Sequence, residues 1–174
     1  MTALYITHYY VRGTDPWQNI MLLPEKEAFR AAADLAAAYP GRTSFGRFAD
    51  FEHYYPLRKA ADELVREGFI RLGGKPRLAH PYSFVLGESD YLKGWFDGGE
   101  SLRIPLEEIP EDRISFTLGD SCAKYTRQEP LEVFTKRMIC EKIRASGGSL
   151  EELVRSIAPY GYVEAQLWTG EDRQ

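Results

Sequence analysis

The sequence predicts one α+β domain that spans residues 1–174, with a mixed, mostly antiparallel sheet of about five strands and four to five flanking helices. Segments that alternate apolar and polar residues, or run continuously apolar over a short stretch, indicate strands, whereas apolar residues three and four apart indicate helices. The resulting order β, α, α, β, α, β, β, α, α, β does not fit a regular βαβ alternation. A chain of 174 residues can also bury a sizeable core without disulfides or a structural metal.

The first predicted strand covers residues 3–11 and alternates cleanly. One face carries Leu4, Ile6, His8 and Tyr10. A polar turn follows, so the strand is either an edge strand with a solvated face or one whose end meets a ligand. Residues 23–41 then predict a helix, because Pro24 suits a first helical position and a Pro-Gly pair ends the run.

Residues 41–55 predict an irregular loop that is rich in aromatic and basic side chains. A second helix is predicted from about Pro56 to residue 71. Its apolar stripe faces the core, and Arg58 and Asp62 are predicted to lie mostly outside.

The second half of the chain predicts four strands and three helices. The strands are residues 82–87, 101–106, 113–119 and 162–168, and the helices are residues 88–96, 130–146 and 149–159. The run at 82–87 is almost entirely apolar, which indicates a buried central strand. Ser149 and Glu152 have the spacing of a capping box, which favours a helix start there.

Charge and cysteine content exclude several classes of protein. The formal net charge is −4, so the whole chain lacks the basic field of a typical duplex-binding protein. Cys122 and Cys140 have no metal-binding spacing and predict reduced thiols. No stretch resembles a signal peptide or approaches the roughly 20 apolar residues of a membrane helix. We therefore expect a cytoplasmic protein with no membrane partner.

Metal and nucleophile chemistry have little support in the sequence. His8, His53 and His80 lie far apart, without a partner at ligand spacing, so no metal site is predicted. Ser121 follows a strand but lacks a nucleophile elbow. A buried, inert thiol is the favoured interpretation of Cys122.

Polar side chains at strand ends remain as candidates for function. Glu164 and Gln166 share one face of the last strand, opposite the face of Val163, Ala165 and Leu167. Two interpretations stay open: either this face is exposed to solvent, or it lines a cleft in which the carboxylate binds a ligand.

Four segments together resemble ADP-ribosyltransferases, in particular the branch that modifies DNA. The segments are YITHYYVRGTDPWQNI (residues 5–20), YSFVLGESDYLKGWF (82–96), RISFTLGDSCAKYT (113–126) and YVEAQLW (162–168). Their order is similar to a first strand with a ribose-binding His, a strand followed by a short helix, and a closing strand with the catalytic Glu. The general character of the sequence also fits small bacterial proteins without an assigned activity.

The resemblance implies NAD as substrate and a role for each matching residue. His8 would bind a ribose hydroxyl, and Asn19 would place the nicotinamide side. Arg47, or alternatively Arg42, would contact the diphosphate with its planar donor fork. Glu164 would stabilise the positive ribose as nicotinamide leaves. His8 and Glu164 are therefore expected to border one cleft.

A non-catalytic module that binds a protein or a small ligand is the alternative hypothesis. It would use an aromatic surface, formed for instance by Tyr9, Trp17, Phe51, Tyr54, Tyr55 and Trp95. The transferase hypothesis predicts a small-molecule nucleotide as ligand, whereas the alternative predicts a protein or a small ligand. A nucleic-acid or protein acceptor stays open, and a homodimer is the expected assembly.

Overall fold

The computed structural model describes residues 3–157 and 161–172 and contains one six-stranded sheet. The strands are β1 Tyr5–Tyr10, β2 Tyr82–Leu86, β3 Glu100–Pro105, β4 Ile114–Leu118, β5 Phe134–Thr135 and β6 Val163–Leu167. They lie in the order β3-β1-β2-β6-β4-β5, and every neighbouring pair is antiparallel. The predicted α+β class is confirmed, and β1 lies inside the sheet rather than at its edge.

Seven α-helices connect and cover the strands in the described part of the chain. They are α1 Glu25–Ala38, α2 Thr43–Gly46, α3 Phe51–Arg71, α4 Asp90–Trp95, α5 Ser121–Thr126, α6 Lys136–Ala145 and α7 Leu150–Ser156. Side-chain oxygens of Ser89, Asp120, Thr135 and Ser149 accept backbone N–H groups at the starts of α4 to α7. Within residues 3–157 and 161–172, no helix combines the length and apolarity needed to cross a membrane.

One face of the sheet is almost wholly apolar, and we call it the aliphatic face. Register places Ile6 opposite Leu86, and Ala165 opposite both Phe84 and Phe116. Ile139 and Ile143 of α6 and Leu153 of α7 pack against this face. This core excludes water from the centre of the sheet and provides the main hydrophobic stabilisation.

The opposite face carries buried polar groups, and we call it the polar face. The buried members include Thr7, Ser115, Thr117, Glu164 and Gln166, and Ser83 is an exposed member of the same face; all alternate with the aliphatic residues along their strands. The helices α3 and α5 cover it, and Val65 and Phe69 of α3 pack on Trp168. Buried polar groups of this kind need hydrogen-bond partners to be tolerated.

The second helix begins earlier than the sequence predicts. It starts at Phe51 rather than near Pro56, and Pro56 lies inside it. The residues before it form α2 and a 3₁₀ turn at Arg47–Asp50. The segment 41–55 is therefore mostly helical, because its aromatic side chains pack on α1 as one cluster around Phe51 and Phe29.

The predicted helix over residues 130–146 is wrong over residues 130–135. Phe134–Thr135 form β5 at the sheet edge, and the helix begins only at Lys136. Phe134 is buried against β4, so tertiary packing overrides the helical pattern there. The short helix α5 was not predicted, and the end of the predicted helix at 149–159 reaches residues outside those described.

Phe116 tests the importance of the aliphatic face. Its side chain is fully buried between β6 and β5. We expect Phe116→Ala to lower the free energy of unfolding by about 3–5 kcal/mol, because it removes apolar contacts and leaves a cavity. Urea denaturation measures the change. Leu64→Ala, at a position that is 45% exposed, is the control and is expected to change stability by less than about 0.5 kcal/mol; equal losses would contradict this description of the core.

Candidate functional site

The central feature of the site is a split between β1 and β2. These strands pair only at Ile6 with Leu86 and at Thr7 with Val85. Beyond that point β1 continues to pair with β3 as far as Tyr10, but it leaves β2. The unpaired strand ends expose backbone groups that other parts of the protein, or a ligand, must satisfy.

A pocket of about 180 Å³ occupies this split. Both faces of the sheet contribute to its wall, since His8 and Tyr82 come from the aliphatic face and Tyr9 and Ser83 from the polar face. The turn after β1, the segment around α2 and the first half of α3 complete the wall. The pocket therefore reaches through the sheet rather than lying on one side of it.

His8 bridges the split in its neutral form. Its Nδ1 lies 3.0 Å from the carbonyl oxygen of Ser83. A carbonyl can only accept, so Nδ1 carries the proton and Nε2 is left as an acceptor. Burial lowers the pKa of His8, opposed by this hydrogen bond, and a neutral imidazole suits the recognition of a ligand hydroxyl.

Asn19 holds the turn after β1 against the start of β2. Its Nδ2 donates to the carbonyl of Pro81 at 2.9 Å, and its Oδ1 accepts the N–H of Met21 at 3.0 Å. Asn19 lines the pocket as expected, but these two bonds give its amide a structural use as well. Its position fixes one wall of the split.

Arg58 brings a buried positive charge to the pocket floor. Its Nε pairs with Asp62 at 2.9 Å, and its Nη2 donates to the Ser83 hydroxyl at 2.8 Å. Asp62 also contacts Nδ1 of His80 at 2.7 Å. The sequence prediction that Arg58 and Asp62 lie outside is wrong, because both are buried and satisfy each other's charge.

Arg47 is a second cation of the pocket, held by aromatic rings. Its guanidinium lies over the rings of Tyr54, Phe48 and Trp95, with centroid distances of 5.1, 5.8 and 5.7 Å. Among the described residues, neither its buried Nε nor the buried hydroxyl of Ser44 has a hydrogen-bond partner. Both residues line the pocket, so polar groups that lack a partner in the described part of the chain lie next to it.

Arg42 does not line the pocket, unlike Arg47. Its Nη1 lies 3.2 Å from Oδ2 of Asp97 and donates to the carbonyl of Phe96 at 3.2 Å. Its guanidinium is therefore occupied by the turn after α4. Of the two arginines predicted to bind phosphate, the structure leaves only Arg47 at the pocket.

Glu164 lies in a buried hydrogen-bond network on the polar face. It accepts the Ser121 hydroxyl at 2.7 Å, the Ser121 N–H at 3.2 Å and Nε2 of Gln166 at 3.0 Å. Burial raises the pKa of Glu164, and the neighbouring carboxylate of Asp120 adds to this. Arg58 and these hydrogen bonds oppose the rise. The exposed-face interpretation of Glu164 is wrong, because its side chain is only 4% accessible.

The structure does not place His8 and Glu164 on a common cleft wall. Register assigns them to opposite faces of the sheet, and Glu164 is not among the residues that line the pocket. Glu164 stands opposite Val85, two residues along β2 from Ser83 at the pocket. The pocket approaches the carboxylate from the side of Arg58, whose charge acts on it.

The aromatic side chains of the alternative hypothesis pack into the protein rather than forming one exposed surface. Tyr9 and Phe51 are buried, and Tyr54 and Tyr55 pack against Phe51. Trp17 sits against the aliphatic core with its ring edge-on to that of Tyr82. Trp95 contacts Arg47 instead.

Neither cysteine shows the features of a nucleophile. Burial raises the pKa of Cys122 to about 11 and also raises that of Cys140. No group of three potential metal ligands occurs within residues 3–157 and 161–172.

Sequence reasoning missed Arg58 and Ser44. Arg58 and Asp62 have i,i+4 spacing, which is compatible with a buried pair as well as with an exposed one. Ser44 carried no local signal, because its importance depends on the packing of α2 over the pocket.

Comparisons of the chain with models of protein families, with curated proteins and with solved structures find no match.

The raised pKa of Glu164 predicts a pH dependence of stability. The native state binds this proton more tightly than the unfolded chain does. The stabilisation of the native state by this proton is therefore complete below the ordinary pKa of 4.5. It is lost as pH rises through the higher pKa of the native state. We expect the free energy of unfolding of the native protein, relative to Glu164→Gln, to fall as pH increases from 4.5 towards neutrality. Urea denaturation of both proteins across this range measures the difference in unfolding free energy. If the native protein becomes more stable relative to Glu164→Gln as pH rises, the raised pKa of Glu164 is contradicted.

Proposed function

We propose that the protein binds NAD in the split between β1 and β2 and catalyses ADP-ribosyl transfer from it. The observation that carries the proposal is the pocket itself, which lies where two central strands diverge and is lined by both neutral His8 and the cationic Arg47. A dinucleotide offers hydroxyls for the imidazole and phosphates for the guanidinium.

The charges of the pocket favour an anionic ligand. Arg47 has no carboxylate partner among the described ion pairs, and Arg58, which is paired with Asp62, lines the same pocket. The surrounding rings shield Arg47 from water, which strengthens its attraction for phosphate oxygens. A planar guanidinium can bind two such oxygens at once.

The proposed reaction breaks the N-glycosidic bond of NAD. The bonding electron pair leaves with nicotinamide, and positive charge develops on the ribose. A lone pair of the acceptor then forms the new bond to the anomeric carbon, and the acceptor's proton passes to a base. With water as acceptor the products are ADP-ribose, nicotinamide and a proton; the nucleic-acid or protein acceptor stays open.

Glu164 is proposed as the carboxylate that stabilises the positive ribose. The shortest path along the sheet from Glu164 to the pocket passes Gln166 and its cross-strand partner Ser83. Gln166 lies two residues from Glu164 on β6. Strand geometry makes this separation about 7 Å. Catalysis therefore requires the bound ribose to enter on the polar face, beside Arg58, rather than on the side of His8.

NAD binding is expected to raise the melting temperature. At a concentration about 100-fold above Kd, the shift for a chain of this size is about 5–10 °C. Arg47→Met should weaken binding about tenfold or more, because it removes the charged donor and keeps much of the apolar stem. Calorimetric titration with NAD measures this loss. Arg71→Met, which removes an exposed guanidinium of α3, is the matched control and should bind normally; no shift at millimolar NAD would refute the binding proposal.

Glu164→Gln is expected to lower the rate of nicotinamide release from NAD by about 100- to 1,000-fold, with KM little changed. The reason is that the carboxylate would act mainly on the charge that develops in the transition state. Chromatographic detection of nicotinamide measures the rate. Glu63→Gln, on the exposed side of α3, is the control. Full activity in Glu164→Gln would rule out its catalytic role.

A further inference from the structure

The segment of residues 42–50 forms one wall of the pocket, and we call it the α2 wall. At its first residue, Arg42 pairs with Asp97 at 3.2 Å and donates to the carbonyl of Phe96 at 3.2 Å. Both partners belong to the turn that follows α4. The wall is thus tied to a part of the chain more than 50 residues away in sequence.

A second contact joins the same two segments. Arg47 in the α2 wall lies over the ring of Trp95 at 5.7 Å, near the end of α4. The pocket is lined by Ser44, Phe45 and Phe48 from the wall and by Phe96 from the turn. The two segments therefore approach each other across the same pocket.

The pocket is small in this arrangement. Its roughly 180 Å³ is less than the approximately 300–1,000 Å³ of pockets that hold drug-sized ligands. In this arrangement it therefore has room for only part of a dinucleotide. Entry of such a ligand must separate the α2 wall from the turn after α4, since the strands of the split are fixed in the sheet.

We infer that Arg42 and Asp97 form a latch that holds the α2 wall closed over the pocket and controls the entry and release of the nucleotide. The identity of the ligand rests on the proposed function, whereas the latch itself rests on the contacts between the two segments. Arg42 is thereby a positioning residue and not a phosphate ligand.

The latch has the properties of a contact that opens readily. The side chains of Arg42 and Asp97 are 30% and 68% exposed, so water and salt screen their attraction. Asp97 has a φ of 50°, in the left-handed region that Asp and Asn tolerate better than most residues. This conformation shapes the turn that carries the carboxylate.

The α2 wall also brings polar groups next to the pocket. The Ser44 hydroxyl and Arg47 Nε, both in the α2 wall, have no hydrogen-bond partner among the described residues. A phosphate bound beside the guanidinium of Arg47 would hold the α2 wall against the pocket and favour the closed state over the open one. Entry and retention are then controlled by the same segment.

Asp97→Asn tests the latch with little change to the backbone, because Asn is equally suited to a positive φ. Hydrogen exchange of residues 42–50, measured by mass spectrometry without ligand, should become about two- to fivefold faster in the variant. Raising the salt concentration should speed this exchange in the native protein and have a smaller effect in Asp97→Asn. Glu67→Gln, which removes an exposed carboxylate partner of Arg71 on α3, is the matched control and should exchange as the native protein does.

Stopped-flow measurement with NAD completes the experiment. Faster NAD dissociation in Asp97→Asn, by a similar factor, supports control of the ligand by the latch. Faster exchange without any binding of NAD to the native protein supports the latch and refutes the proposed ligand. Unchanged exchange of residues 42–50 in Asp97→Asn overturns the latch, whatever NAD does.

Discussion

The divergence of β1 from β2 after two paired residues is the constraint from which the site follows. A continuous ladder would close the sheet and leave no space between the strands. Side chains instead form hydrogen bonds with two carbonyls in and just before β2. His8 binds the carbonyl of Ser83, and Asn19 binds that of Pro81. The protein thus satisfies the backbone of β2 while keeping a gap between two central strands. The sheet on either side of this gap holds its walls in place.

The polar face depends on a different kind of stabilisation. Trp168 donates to Ser115, Ser115 to Gln166, and Gln166 to both Thr117 and Glu164. Every member is buried, so a shift in register would leave donors and acceptors unpaired at a considerable cost. The network therefore specifies how β4 and β6 align. It also provides a polar environment in which a carboxylate can be buried next to the pocket.

Local patterns predicted every strand except β5, and they predicted the alternation of side chains in β1 and β6. The alternation of β1 and β6 is observed, and β2 is a central strand as its apolar run indicates. The relation between His8 and Glu164 could not be predicted in the same way, because it depends on register between strands. A shift of one residue moves every side chain of a strand to the other face.

Burial of charge was the other property that the sequence could not reveal. An Arg and an Asp four residues apart are usually an exposed pair on a helix, yet Arg58 and Asp62 lie under the sheet. Their burial follows from Ser83 and His80, which are remote in sequence and supply the remaining hydrogen bonds. The α2 wall likewise depends on aromatic packing between α1 and α3, so its order was not visible in residues 41–55 alone.

The two outer strands have consequences for self-association. β5 contains only two residues, and β3 presents exposed Glu100 and Arg103 and ends in Pro105. Short, charged or proline-containing borders are poor templates for an incoming strand. A second copy of this chain would therefore meet the first through helical surfaces rather than by extending the sheet, and the gap between the central strands would be preserved in such an assembly.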